Sequence, residues 1–375
     1  MKKIISLSAI IVLFIAVSLN LSSCNNTHGK QEIKIGATLD FTGPNAVYGK
    51  QVQQGINLAL DQINAKGGID GKKIKVFYLD SKSEPKLAVA NAQNFISLKG
   101  IKIIIGEISS NATLAMIPVI EKNNAFLFAP ASSSPKLTNV SKNFARNWPS
   151  DNAEAGSAAE YAKNQLKAKT ASIIYVNSDY GIGLKNKFEV QFKDEDNSVL
   201  ITEPYEVGAT DFKTLLLKVK AKKADCIYLA GNPKEMGRCI KQLRESNIIV
   251  PVISNTGFLQ NDCLSIAGVA ADGVIVPTPA YDPKNGTNKD MTNFYKIFKQ
   301  KYGEEPTMIN ANAYDAIIII TAAIKKYGLD IDKIAPYIRN LKNFHGSEGN
   351  VNFVNGDVSV PIIFKVIKNG KATTN

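Results

Sequence analysis

The chain has 375 residues, with 45 Lys and Arg against 33 Asp and Glu and a net charge of +12. That length exceeds what one hydrophobic core comfortably serves and points to two lobes; the basic residues stand singly or in pairs, without the Arg-rich run or aromatic-interleaved stripe of a nucleic-acid binder. His28 and His345 are the only histidines, which argues against a zinc site or a histidine-based catalytic triad, and nothing calls for a metal or cofactor.

Lys2 and Lys3 precede an apolar run over 4–19 that ends in Leu21-Ser22-Ser23-Cys24. A charged start, a short apolar stretch and a small-residue cleavage box form an export signal. The run falls short of the roughly 20 residues a spanning helix needs. Cys24 is the expected site of lipid attachment, residues 1–23 the signal peptide and 24–32 a polar tether. Loss of Lys2 and Lys3 leaves the mature chain at about +10. Acyl chains contribute about 0.8 kcal/mol per buried methylene, so two or three hold a domain at a membrane surface. The expected location is outside the cytoplasm, lipid-anchored at the envelope, either in the periplasm or on the outer face of the cytoplasmic membrane.

From Ile33 onward, short β-branched runs alternate with amphipathic stretches, the rhythm of βαβ units. Segments 33–39, 74–80, 101–106 and 125–129 are continuous apolar runs and predict buried parallel strands. Between the first two lies a helix over 51–65, with Val52, Ile56, Ala59 and Ile63 on one face and a stop at Gly67-Gly68. A second series begins after Pro149, with helices over 151–166, 184–192, 211–221 and 233–245 and strands over 171–176, 200–207, 224–230 and 250–254. Helices over 288–302, 309–327 and 331–341 have few strands of their own to cover, so they pack back on the first sheet. A hairpin over 351–354 and 358–367, around Asn355-Gly356, is expected to return to the second. The fold class is therefore α/β: two Rossmann-like lobes, parallel sheets flanked by helices, three interlobe crossings. The first lobe takes 33–148 plus 281–343 and the second 149–280 plus 344–375, with a cleft where strand C-termini face each other.

Two glycine-rich stretches fail as phosphate loops. Gly43 to Lys50 has one residue too many and no Ser or Thr after the lysine, and Gly181-Ile182-Gly183 lacks a third glycine and the acid of a dinucleotide fingerprint; the latter reads as a turn admitting a helix. The strand ends carry more. Glu107-Ile108-Ser109-Ser110-Asn111 follows one predicted strand and Ala131-Ser132-Ser133-Ser134 another, placing hydroxyls beside helix N–H groups, a setting for an anion. Both turns also suit plain helix capping. Tyr48 and Tyr180, each followed by glycine, can close on a ligand from opposite lobes. Trp148, the sole tryptophan, sits at the first expected crossing, as hinge packing or as cleft wall. Asp151 with Glu154 reads as a helix cap. Cys226, Cys239 and Cys263 read as small core residues, with a disulfide between two of them as the alternative.

The stretches Leu39 to Gly49, Asp61 to Ile69, Ala131 to Pro135 and Ser178 to Gly183 resemble the leucine/isoleucine/valine-binding proteins and their type I periplasmic relatives. The resemblance implies a non-enzymatic, monomeric solute receptor whose lobes close on a small-molecule ligand and deliver it to an ABC permease. It matches Ser110 and Ser133 to the hydroxyls that take an amino acid's carboxylate and amine, and Ala131 to a backbone contact. Ile108, Ser109 and Ser132 match pocket-lining positions, and Tyr48 and Tyr180 pocket aromatics. Ser83 and Ser109 stand where the family has a short disulfide. Asn232 replaces a family tyrosine, and Thr256 replaces the glutamate that pairs with the ligand ammonium. Losing that carboxylate costs about 1.5–3 kcal/mol, the worth of a hydrogen bond to a charged group. The expected ligand is thus a small carboxylate, either a branched-chain amino acid or an amine-free acid or amide, not selected through an ion pair at Thr256. A sensory receptor module without transport is the alternative role. An enzyme using Ser110 or Ser133 as nucleophile has no histidine near either serine in sequence.

Overall fold

β1 (Ile33–Leu39) and β2 (Ile74–Asp80) pair in parallel along their whole length, Ile33 opposite Ile74 and Leu39 opposite Asp80. The computed structural model in which they lie describes residues 32–284 and 288–374, so the signal segment, Cys24, His28 and nearly all of the tether fall outside the described residues. α1 (Ala46–Ala65) joins the two strands and buries Val52, Ile56 and Ala59. It begins five residues before the apolar periodicity does, so Tyr48 lies in its first turn. α2 (Pro85–Gln93), β3 (Ile103–Ile105), α3 (Ser110–Lys122), β4 (Phe126–Ala129) and β5 (Phe144–Arg146) complete a parallel sheet of order β2-β1-β3-β4-β5. Every residue of β3 and β4 is buried, as strands covered on both faces require.

After 147–150 the chain enters the second series: α4 (Asp151–Asn164), β6 (Thr170–Val176), α5 (Asp179–Phe192), β7 (Ser198–Tyr205), α6 (Lys213–Lys222), β8 (Cys226–Ala230), α7 (Pro233–Glu245), β9 (Val252–Ser254), α8 (Asn261–Ala267) and β10 (Ile275–Pro279). α5 starts five residues earlier than its apolar pattern suggests. Gly181 and Gly183 are therefore inside a helix and do not form a turn before one; a Cβ on Gly181 would lie 2.1 Å from the Val176 carbonyl oxygen, so the glycine permits the helix to sit against β6. Cys226, Cys239 and Cys263 are buried free thiols.

α9 (Lys289–Tyr302), α10 (Met308–Tyr327) and α11 (Ile331–Arg339) follow. Ile317 and Ile320 of α10 and Ile334 of α11 share a core with Ile35 and Ile56. Gly55 of α1 would place a Cβ 2.2 Å from the Asn310 carbonyl oxygen, so a side chain there would push α1 and α10 apart.

The C-terminal hairpin differs from the expectation. The Asn355-Gly356 turn exists, with φ of 53° and 90° and Phe353 opposite Val358, as a primed hairpin turn demands. Yet the segment made of β11 (Phe344–Gly346), β12 (Gly349–Val351), β13 (Phe353–Val354) and β14 (Asp357–Val358) packs on the first lobe, where Val351, Phe353 and Val358 join the Ile35 core. The turn docks there through its backbone: Arg146 N donates to the Gly356 carbonyl at 2.8 Å, and the buried Arg146 guanidinium meets Asp357 at 2.8 Å. Only after Pro361 does β15 (Ile362–Lys368) run antiparallel to β10, with β16 (Lys371–Thr374) beside it, giving the order β16-β15-β10-β9-β8-β6-β7. Residues 344–358, expected with the second lobe, thus pack with the first, and the last crossing falls at 359–361. Among the described residues no helix is long and apolar enough to cross a membrane.

Candidate functional site

The C-terminal ends of the two sheets face each other, and a cavity of about 150 Å³ lies between them. This is the volume of a cavity that holds one benzene-sized guest, roughly 150 Å³. Its first-lobe wall includes Tyr48, Ile108, Ser109, Ser110, Ala131, Ser133 and Trp148, and its second-lobe wall Glu154, Tyr180, Asn232 and Thr256.

The first wall is made by the two hydroxyl turns. Ser109 caps α3, its hydroxyl accepting from Ala112 N at 3.5 Å, and the first intrahelical bond runs from Thr113 N to the Ser109 carbonyl. The amides of Ser110 and Asn111 precede that bond and sit at the positive end of the helix, beside the cavity. The Ser110 hydroxyl accepts from Ser134 N at 3.2 Å, which leaves its own proton to donate. Ser132 departs from the expectation. It is wholly buried and off the cavity, its hydroxyl bonded to the Glu107 carbonyl at 2.5 Å and to Thr113 Oγ1 at 2.6 Å. Successive side chains point to opposite sides of this turn, so Ala131 and Ser133 reach the cavity while Ser132 ties the two turns together. Glu107 is buried behind them, held by Thr38 Oγ1 at 3.2 Å; burial, then the nearby Asp40 charge, pushes its carboxyl well above the carboxylate range.

The second wall holds an acid beside Thr256, where the sequence predicts none. Glu154, buried in the first turn of α4, accepts from Thr256 N at 2.5 Å and from Thr256 Oγ1 at 3.0 Å. Those two bonds leave further lone pairs on the carboxylate. Burial, with the Asp151 charge second, raises its carboxyl to about 8. Asp151 is not the cap read from sequence: Ser150 is, accepting from Asn152 N at 3.5 Å. Asp151 stands behind Ser133, donating its N–H to the Ser133 carbonyl at 2.9 Å. Burial raises it to about 7 despite Arg146 nearby.

Aromatic residues close the space. Tyr180 lies in the first turn of α5, its hydroxyl accepting from Asn255 Nδ2 at 2.7 Å. Tyr48 reaches across to the second lobe, and a Cβ on Gly257 would lie 3.1 Å from its hydroxyl, so glycine admits it. Asn232 caps α7 without a side-chain hydrogen bond to the helix and lines the cavity. Ser83 and Ser109 both line it too. The lobes touch around the rim: Gln51 Nε2 donates to Gln260 Oε1 at 2.9 Å, Asp179 N to Asn111 Oδ1 at 2.8 Å, and Lys136 pairs with Asp179. These contacts bring the two lobes together beside the cavity.

Residues 32–370 match the model of the periplasmic binding protein family. The chain belongs to that family. Among the relatives of this periplasmic binding protein, the Leu/Ile/Val-binding protein homolog 1 of Brucella suis is 28% identical over 333 residues, 88% of either chain. The leucine-, isoleucine-, valine-, threonine- and alanine-binding protein of Pseudomonas aeruginosa is 27% identical, over 86% of this chain and 85% of its own. Among solved structures, the leucine-binding protein LivK of Thermotoga maritima superposes with a TM-score of 0.86 at 30% identity, over 92% of this chain and 97% of that one. LivJ of Streptococcus pneumoniae, solved with isoleucine, gives 0.84 at 28% identity, over 91% and 98%. The fold is that of a type I periplasmic binding protein.

Proposed function

We propose that this chain is the solute receptor of an ABC importer and that its ligand is a branched-chain amino acid held between the closed lobes. The observation that carries the reading is the Glu154 carboxyl on the cavity wall opposite the amides of Ser110 and Asn111. A carboxylate ligand group fits the helix end and the Ser110 hydroxyl. An ammonium fits Glu154 and the lone pairs of Ser133. Ile108, Trp148 and Ile309 supply the apolar surface for an aliphatic side chain. The relatives named for leucine, isoleucine and valine support the same class. Glu154 also favours an amino acid over an amine-free acid, because only an ammonium beside it stabilises its ionised form and adds a charge-assisted bond, whereas an uncharged ligand end leaves it a neutral carboxyl.

Trp148 is the only tryptophan and lines the cavity, so its fluorescence reports binding. Titration with leucine, isoleucine and valine is expected to saturate at one site per chain; saturation by amine-free acids but by none of the three would overturn the reading. Export with lipid attached at Cys24 is part of the same proposal. Cys24→Ala then moves the protein from the membrane to the soluble fraction, and a variant still at the membrane would contradict the anchor.

A further inference from the structure

A second cavity, of about 360 Å³, lies at the crossing near Tyr281, and Trp148, Thr256, Gln260 and Ile309 line both it and the ligand cavity. We infer that Trp148, backed by Ile309, is the partition that sets the length of side chain the receptor accepts. The inference rests on the amino-acid reading above and adds what limits the ligand at its far end.

Trp148 is 8% exposed and packs in the same core as Ile108, Met308 and Ile309. Its backbone is held on both sides, by Asn147 N on the Ala129 carbonyl at 3.2 Å and by Asp151 N on the Ser133 carbonyl at 2.9 Å. Pro149 follows and restricts it further to extended conformations. The backbone that carries the indole is therefore held in place at the cavity wall. Beyond it, Tyr281, Leu259 and Met308 give the second cavity an apolar side against which an aromatic ring can lie, while Asp282, Lys284 and Glu305 line its polar part. It also holds two buried polar atoms without hydrogen-bond partners among the described residues, Tyr281 Oη and Gln51 Oε1. This space is divided from the ligand cavity by the four residues that line both, of which the Trp148 indole and Ile309 are the apolar part.

The test is calorimetric titration of leucine and phenylalanine into the wild type, Trp148→Ala and Ile309→Ala. Trp148→Ala joins the cavities. Its phenylalanine affinity is expected to rise at least about tenfold and its leucine affinity to fall by a similar factor, the scale of size discrimination in apolar pockets. Ile309→Ala thins the partition from the first lobe and is expected to shift the phenylalanine-to-leucine ratio in the same direction. If Trp148→Ala fails to fold, the Ile309→Ala ratio decides. Unchanged phenylalanine affinity, or a parallel loss of both ligands, overturns the partition. A wild type that binds no branched-chain amino acid would instead defeat the functional reading.

Discussion

The first-lobe wall of the cavity is neutral, built from serine hydroxyls and the amides that open α3, whereas the second-lobe wall carries a buried carboxyl, Glu154, beside Thr256. A zwitterion bridging them finds the donor for its carboxylate on one lobe and the acceptor for its ammonium on the other. Each contact is worth about 1.5–3 kcal/mol, and both are made together only when the lobes close. Dividing the charges between the walls thus couples recognition to closure. An anion alone would engage one lobe and leave the other indifferent.

The sharpest way to break the contrast is to add charge to the charged wall. Thr256→Glu, which restores the residue type the family resemblance leads one to expect, places a second carboxylate against Glu154, whose oxygens lie 2.5 and 3.0 Å from Thr256 atoms. Burial already holds Glu154 largely protonated, so a second buried acid beside it must stay protonated as well or ionise at a cost to stability. The variant is expected to lose thermal stability and to bind leucine no better than the wild type; scanning calorimetry and titration read both, and tighter leucine binding would show that the acid belongs at position 256.

A second test uses pH. With its carboxyl raised to about 8, Glu154 is mostly protonated at pH 6 in the empty cavity, and pairing with an ammonium favours the ionised form. Binding should therefore release a proton, and leucine affinity should rise with pH between 6 and 8, by at most about tenfold per unit. Calorimetry in buffers of different ionisation enthalpy counts the proton; uptake, or none, would separate Glu154 from the ligand. The smallest effect is expected on the neutral wall. Ser110→Ala removes one hydroxyl donor and should weaken leucine and its amine-free analogue equally, by about 1 kcal/mol each, seen in the Trp148 fluorescence titration.

The two walls were not equally legible in sequence. Hydroxyls following apolar strands give a local signal, and Ser109, Ser110 and Ser133 do lie on the cavity. Ser132 does not, because the sequence cannot say which side of a turn each serine takes. Glu154 is readable in principle, although its spacing from Asp151 also fits a helix cap. Asp151, Glu154, Ala155, Ala158, Ala159 and Ala162 form one helical stripe, and all are buried, so the acids lie on the core face and not the solvated one. The C-terminal strands went astray because a hairpin signal fixes a turn without fixing the sheet it joins. What docked that turn on the first lobe was Arg146, distant in sequence from Asp357.

The division of charge between the walls is tested most directly by titrating leucine and 4-methylpentanoate, its amine-free counterpart, into the wild type and Glu154→Gln. The amide keeps the shape of the side chain and can still accept from Thr256 N. The wild type should prefer leucine by about 10- to 100-fold, the equivalent of 1.5–3 kcal/mol. Glu154→Gln should lose that preference while binding 4-methylpentanoate about as well as the wild type does. A variant that weakens both ligands alike, or that still prefers leucine by the same factor, would contradict the pairing of Glu154 with the ligand's ammonium.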